Sequence, residues 1–141
     1  MTLYSYQGLK PEPLPFRIRI QDGSTRTDSS TFTADEISSA GYTGPYEYPD
    51  YDSETQTIEW NGTEFTVRPY NTQELEDQWN KVREQRNQLL KESDWTQIGD
   101  YNLGLTNKEE WVSYRQELRD LPVAQSNPFS ISYPDIPELS L

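Results

Sequence analysis

The sequence predicts an α+β protein: N-terminal β-hairpins with a short helix, then an antiparallel helical hairpin, with extended Pro-rich termini. Three observations carry this prediction. Asn61-Gly62 separates two runs that alternate apolar and polar residues, and Asn-Gly is a favoured hairpin turn. Leu75, Trp79, Val82, Arg86 and Leu89, with Leu90 beside them, recur at spacings of four and three, which makes one stripe on a helix. Prolines collect at the ends, at positions 11, 13 and 15 and again at 122, 128, 134 and 137. The implied organisation is an extended arm over 1–15, a small β-rich module over 16–70, a helical hairpin over 71–122 and an extended Pro-containing tail over 123–141.

Each element follows from local chemistry. In the arm, every Pro fixes its own φ and biases the preceding residue toward extended backbone. Phe16-Arg-Ile-Arg-Ile20 alternates with period two, which places Phe16, Ile18 and Ile20 on one face and Arg17 and Arg19 on the other. Asp22-Gly23 is a hairpin turn signal, and the short polar residues from Ser24 to Thr31 predict a weak partner strand. Thr33-Ala-Asp-Glu36 is a capping box that starts a helix of one or two turns, and Gly41 stops it. Tyr42 to Tyr51 reads as a loop rich in Tyr and Pro. Around Asn61-Gly62, a two-residue turn sets Trp60 against Thr63, Ile58 against Phe65 and Gln56 against Val67, so that Ile58, Trp60, Phe65 and Val67 share a face. That register also sets Glu59 against Glu64, a mild destabilisation unless a cation covers them.

Asn71-Thr-Gln-Glu74 is a second capping box, and its helix is expected to run to about Ser93. Thr106-Asn-Lys-Glu109 is a third, followed by the stripe Trp111, Tyr114, Leu118 and Leu121, with Pro122 just past the expected end. Two helices with one stripe each form an αα-hairpin that cannot bury both stripes alone.

Composition narrows the function. The chain has 141 residues and a formal charge of −12, with 11 acidic against 5 basic groups in residues 1–72 and 13 against 7 in the remainder. A surface that is negative throughout repels phosphate backbones and anionic lipid heads, so no nucleic acid and no membrane is expected as a partner. The helices mix Lys and Arg among their acids, unlike a mimic of DNA phosphates. There is no Cys, hence no disulfide or thiolate chemistry, and no His, the commonest general base and metal ligand. No signal-peptide pattern is visible at the N-terminus, and no apolar run is long enough to span a bilayer. Hydrophobic residues make up only 32%, but they include four Trp, ten Tyr and four Phe. Such residues, apolar in body and polar at the tip, serve thin cores and contact surfaces.

The helical half carries a more specific pattern. Arg83-Glu-Gln-Arg86-Asn-Gln-Leu-Leu90, then Ser93-Asp94-Trp95-Thr96-Gln97, Asp100, and Trp111-Val-Ser-Tyr114-Arg115-Gln-Glu-Leu118-Arg119-Asp120-Leu-Pro122, resembles the phage tail assembly chaperone family. The resemblance covers roughly residues 74–137, with Asn127-Pro128-Phe129 and the segment from Pro134 to Pro137 similar to its Pro-containing finish. The Gly41-Tyr42-Thr-Gly44 segment and the Trp60-Asn-Gly hairpin look like a leader found before this domain in some phage tail proteins. The resemblance implies a protein that binds phage tail or tail-fibre proteins during assembly. It brings no catalytic residue. Some related fibre chaperones leave after folding their client, and others stay on it.

Partner-binding candidates follow from this reading: Arg83, Arg86, Trp95, Trp111, Arg115, Arg119, Tyr42, Tyr46, Phe129 and Tyr133. The four arginines lie at helical i, i+3 and i, i+4 spacings. Either they pair with Glu84, Asp94, Glu117 and Asp120 inside the hairpin, which is the blander account, or they form a basic stripe facing a partner. Ser93 or Asp94 is expected to cap a turn in the interhelical loop, with Trp95 closing the hairpin end. The tyrosines at 42, 46, 48 and 51 either cover the β-hairpin or present an adaptable binding surface. Asp50, Asp52 and Glu54 alternate like the start of a calcium loop. They lack the following Gly and the distant bidentate Glu, so a solvated acidic loop accounts for them better. Carboxylate pairs suited to polysaccharide hydrolysis occur by chance in so acidic a chain, and the sequon at Asn61 is accounted for by the turn. No catalytic residue, cofactor or metal is expected. The expected partners are phage tail or tail-fibre proteins and copies of the chain itself, met in the host cytoplasm during assembly and then in the virion tail.

Overall fold

The structure, a computed structural model, describes residues 1–100 and 104–141. It is α+β, as the sequence predicts, and divides into two compact units: residues 1–52 with 56–69, and residues 53–55 with 70–141.

The first unit contains three two-stranded antiparallel sheets. In chain order its strands are β1 (Leu3–Tyr6), β2 (Arg17–Arg19), β3 (Thr25–Thr27), β4 (Tyr42–Tyr46), β5 (Gln56–Trp60) and β6 (Phe65–Pro69), with α1 (Ala34–Ser39) between β3 and β4. β2 and β3 pair across the turn at Asp22-Gly23, where the Asp22 carboxylate accepts from the Ser24 amide at 2.7 Å. Alternation buries Ile18 and leaves Arg17 and Arg19 in solvent. α1 starts on the expected capping box, with both reciprocal bonds between Thr33 and Glu36 formed, and buries Ile37.

Two sequence expectations in this unit need correction. Tyr42 to Tyr51 is not all loop, because Tyr42–Tyr46 is β4 and pairs with β1. Local propensity hides this strand, since Gly44 and Pro45 sit within it. Gly44 is required there: its φ is +137°, and a Cβ would lie 3.0 Å from the Leu3 carbonyl oxygen and from the Tyr4 ring. Residues 1–15, read as an extended arm, thus contain a paired strand, with Tyr4 also bridged to Glu12.

The second correction concerns the register of β5 and β6. Trp60 pairs with Phe65, Ile58 with Val67 and Gln56 with Pro69, a shift of two residues from the expected pairing. The Asn61 side-chain oxygen accepts from the Thr63 and Glu64 amides, each at 2.9 Å, and the Asn61 amide donates to the Glu64 carbonyl. Four residues therefore make the turn. A shift of two preserves the faces, because side chains alternate with period two. It does separate Glu59 from Glu64, and Glu59 instead pairs with Arg68 at 2.8 Å.

The second unit is helical. α2 (Thr72–Glu92) begins on a complete capping box between Asn71 and Glu74 and ends at Ser93, as expected. A 3-10 turn over Asp94–Gln97 follows, and α3 (Lys108–Ala124) packs back against α2. The core holds Leu105, Trp111, Tyr114 and Leu118, with Leu89, Leu90, Trp95 and Tyr133 against it.

α3 departs from expectation at both ends. No side-chain cap forms from Thr106, and the helix starts after Asn107. Thr106 is engaged elsewhere: its amide and hydroxyl both donate to the Ser140 carbonyl, at 2.8 and 3.1 Å. Pro122 lies inside the helix rather than past it. In the last turn a Pro removes a single intrahelical bond, and neighbours can carry the helix one further step. The Gln125 amide closes it on the Leu121 carbonyl.

Candidate protein-binding surface

The candidate side chains of the helical half are positioned by a polar clasp and a strapped tail. Arg115 projects from α3 and is only 8% exposed. Its Nη1 donates to the Leu90 carbonyl at 2.6 Å and to Ser93 Oγ at 2.8 Å, while Nη2 donates to Asp94 Oδ1 at 2.8 Å. These bonds reach the C-terminal end of α2, where the last carbonyls run short of helical donors. A planar guanidinium with fixed donors suits this task better than an ammonium. Ser93 Oγ also donates to the Leu89 and Leu90 carbonyls. It does not cap the 3-10 turn, which has no side-chain cap.

Trp111 is buried beside Trp95, with ring centroids 5.8 Å apart, and Tyr114 meets Trp111 edge-on at 6.0 Å. Burial pushes the Tyr114 phenol above its ordinary value, and the Glu92 carboxylate adds to the shift. Burial does the same for Tyr133. Trp111 and Arg115 are therefore interior groups in this structure. The other three arginines are not buried: Arg83 donates to Asn80, Arg86 to Asn87 and Arg119 to Gln116. Of the acidic pairings weighed for the four, Arg115 with Asp94 is formed. Among the described residues, no ion pair joins Glu84, Glu117 or Asp120 to them.

The tail after α3 is held along its length. Gln125 and Ser132 exchange two bonds, at 2.7 and 2.8 Å. Asn127 donates to the Glu54 carbonyl at 2.9 Å, and Phe129 stacks on Tyr70 with centroids 3.7 Å apart and planes 7° from parallel. Tyr133 packs on the core, and Asn107 and Thr106 hold Glu138 and Ser140. The tail thus returns from the C-terminal end of α3 to its N-terminal end. Phe129 and Tyr133 are legible in the sequence as candidate contacts, whereas Gln125, Thr106 and Asn107 are not legible as clasps, since polar residues of this kind carry no periodic signal. Outward from this strap, Val123, Ile136, Leu139 and Leu141 remain exposed.

In the β unit, Tyr46 lies edge-on to Trp60 at 4.9 Å, Tyr48 lies on Phe65 at 4.9 Å, and Tyr42 lies on Tyr6 at 5.0 Å. Trp60 Nε1 donates to the Gly8 carbonyl at 2.9 Å. Two of the four tyrosines thus cover the β5–β6 hairpin. Among the described residues, no group of three or more acidic side chains could hold a metal ion, and no helix is long and apolar enough to cross a membrane.

What the arrangement offers is contact surface. No curated protein and no solved structure matches the chain. Residues 79–138 match the model of the phage tail assembly chaperone protein family, from Trp79 in α2 through α3 to Glu138 in the strapped tail. The matched region thus holds most of α2, the arginine clasp, α3 and most of the strapped tail, and over residues 79–138 the chain is similar to the phage tail assembly chaperones.

Proposed function

We propose that this protein binds other tail or tail-fibre proteins while a bacteriophage tail is built, and that it then stays in the virion as a structural adaptor. The family match over residues 79–138 is the observation that carries the assembly role. Retention is supported by the strapped tail: a segment with several separate anchor points presents Ile136, Leu139 and Leu141 in a fixed order, which lowers the ordering cost of a lasting contact. The role is contact rather than catalysis, and the work would begin in the host cytoplasm. Partner-facing side chains are sought among the exposed arginines Arg83 and Arg119 and around Phe129 and Tyr133.

Mass spectrometry of purified virions tests retention. The adaptor reading expects stoichiometric recovery of the protein. Its absence from mature particles, with co-purification alongside tail proteins from infected cells, would establish a transient chaperone instead. Failure to co-purify with any tail protein would end both versions.

A further inference from the structure

Two surfaces of this acidic protein carry charges that meet no opposite charge within the described residues, and they complement each other. The first is the outer face of β2. Arg17 and Arg19 both point to solvent there, opposite the buried Ile18, and among the described residues neither side chain forms an ion pair or hydrogen bond. Their cross-strand neighbours are Thr27 and Thr25. The two nearest carboxylates along the hairpin, Asp22 and Asp28, accept instead from Ser24 and Ser30.

The second surface is a groove beside α3, lined by Glu117, Asp120, Leu121, Ala124, Tyr133 and Pro134. The Gln125–Ser132 exchange fixes its tail side. Both carboxylates accept only from neutral side chains, Glu117 from Ser113 and Asp120 from Gln116. The last turn of α3 has no basic residue, so the negative end of the helix dipole adds to theirs. A cation is missing where the end of the helix and two carboxylates favour one.

We propose that β2 of a second copy of this chain docks in the α3 groove, with Arg17 and Arg19 on Glu117 and Asp120. The spacing agrees. Alternate residues on a strand lie roughly 6.5–7 Å apart, and i, i+3 residues on a helix about 5–6 Å. The two surfaces differ, so two copies can exchange them reciprocally in a closed dimer or pass them head-to-tail along a chain of copies. The inference does not depend on which tail protein the chain binds.

The test uses the full chain and two charge-reversed variants, R17E/R19E and E117R/D120R. All four positions are exposed or at the surface, so folding should survive, as circular dichroism will verify. Analytical ultracentrifugation should show wild-type association that rises with concentration and falls with salt. Each variant alone should associate more weakly by on the order of a hundredfold, because like charges then face each other. Mixing the two variants restores opposite charge at both contacts, and association should return. A wild type that stays monomeric at low salt, variants that associate like wild type, or a mixture that stays monomeric would each overturn the proposal.

Discussion

Residues 1–52 with 56–69 bury three large apolar side chains, Leu3, Ile18 and Ile37, whereas residues 53–55 with 70–141 bury Val82, Leu105, Trp111, Tyr114, Leu118 and Leu121. The first unit depends on short backbone ladders and on half-buried rings stacked over them, and two-stranded sheets are marginal in water without such cover. The second has a core in the ordinary sense, closed by one buried arginine and a strap. The difference shows that a chain with little hydrophobic content can concentrate that content: it builds one well-packed unit and leaves another to be held by turns, pairings and aromatic edges.

The contrast can be broken most sharply at Leu118, which is fully buried. Leu118→Ala should lower stability by about 2–5 kcal/mol in urea denaturation. Ile58→Ala, at a half-buried position of β5, should lose less, and equal losses would show that the β unit has a comparable core. Next in size is the clasp. Arg115→Ala removes the donors to Leu90, Ser93 and Asp94 and should be less stable than wild type by about 1–3 kcal/mol. Because Asp94 is largely exposed, Asp94→Asn should cost much less, and a double-mutant cycle would separate the ion pair from the carbonyl contact.

The caps sharpen the comparison further. Asn71→Ala should cost about 1 kcal/mol through loss of the α2 cap. Thr106→Ala removes a tail contact rather than a cap. Its expected result is faster hydrogen exchange in residues 138–141 with the helical circular dichroism unchanged, and loss of helix signal would restore the capping role read from the sequence.

The last effect is visible only at high pH. Burial raises the Tyr114 and Tyr133 phenols above the ordinary value of 10.0, so folding favours their neutral forms. Their contribution is intact below pH 10 and is lost as pH rises through the raised values. Tyr114→Phe should flatten the alkaline limb of a stability profile. Tyr42 is raised as well, chiefly by burial and then by Tyr6, so Tyr42→Phe gives the matching measurement in the β unit.

Much of this fold can be read from local chemistry. Thr33 to Glu36 and Asn71 to Glu74 announce their helices because a capping box is satisfied within four residues. The stripe from Leu75 to Leu90 predicts α2 nearly to its ends, and the alternation around Ile18 and Ile58 predicts which faces turn inward. What lay outside local reach is equally specific. β4 exists because Leu3–Tyr6 pairs with it across forty residues, against the propensity of Gly44 and Pro45. The third capping motif fails because Ser140, thirty-four residues away, takes the Thr106 hydroxyl. Arg115, charged and apt for a surface, is interior because the end of α2 brings carbonyls and Asp94 within reach. Bonds and periodicities contained within a turn of chain are fixed by adjacent residues alone, whereas a partner distant in sequence becomes available only once folding has met the entropy of bringing the two together.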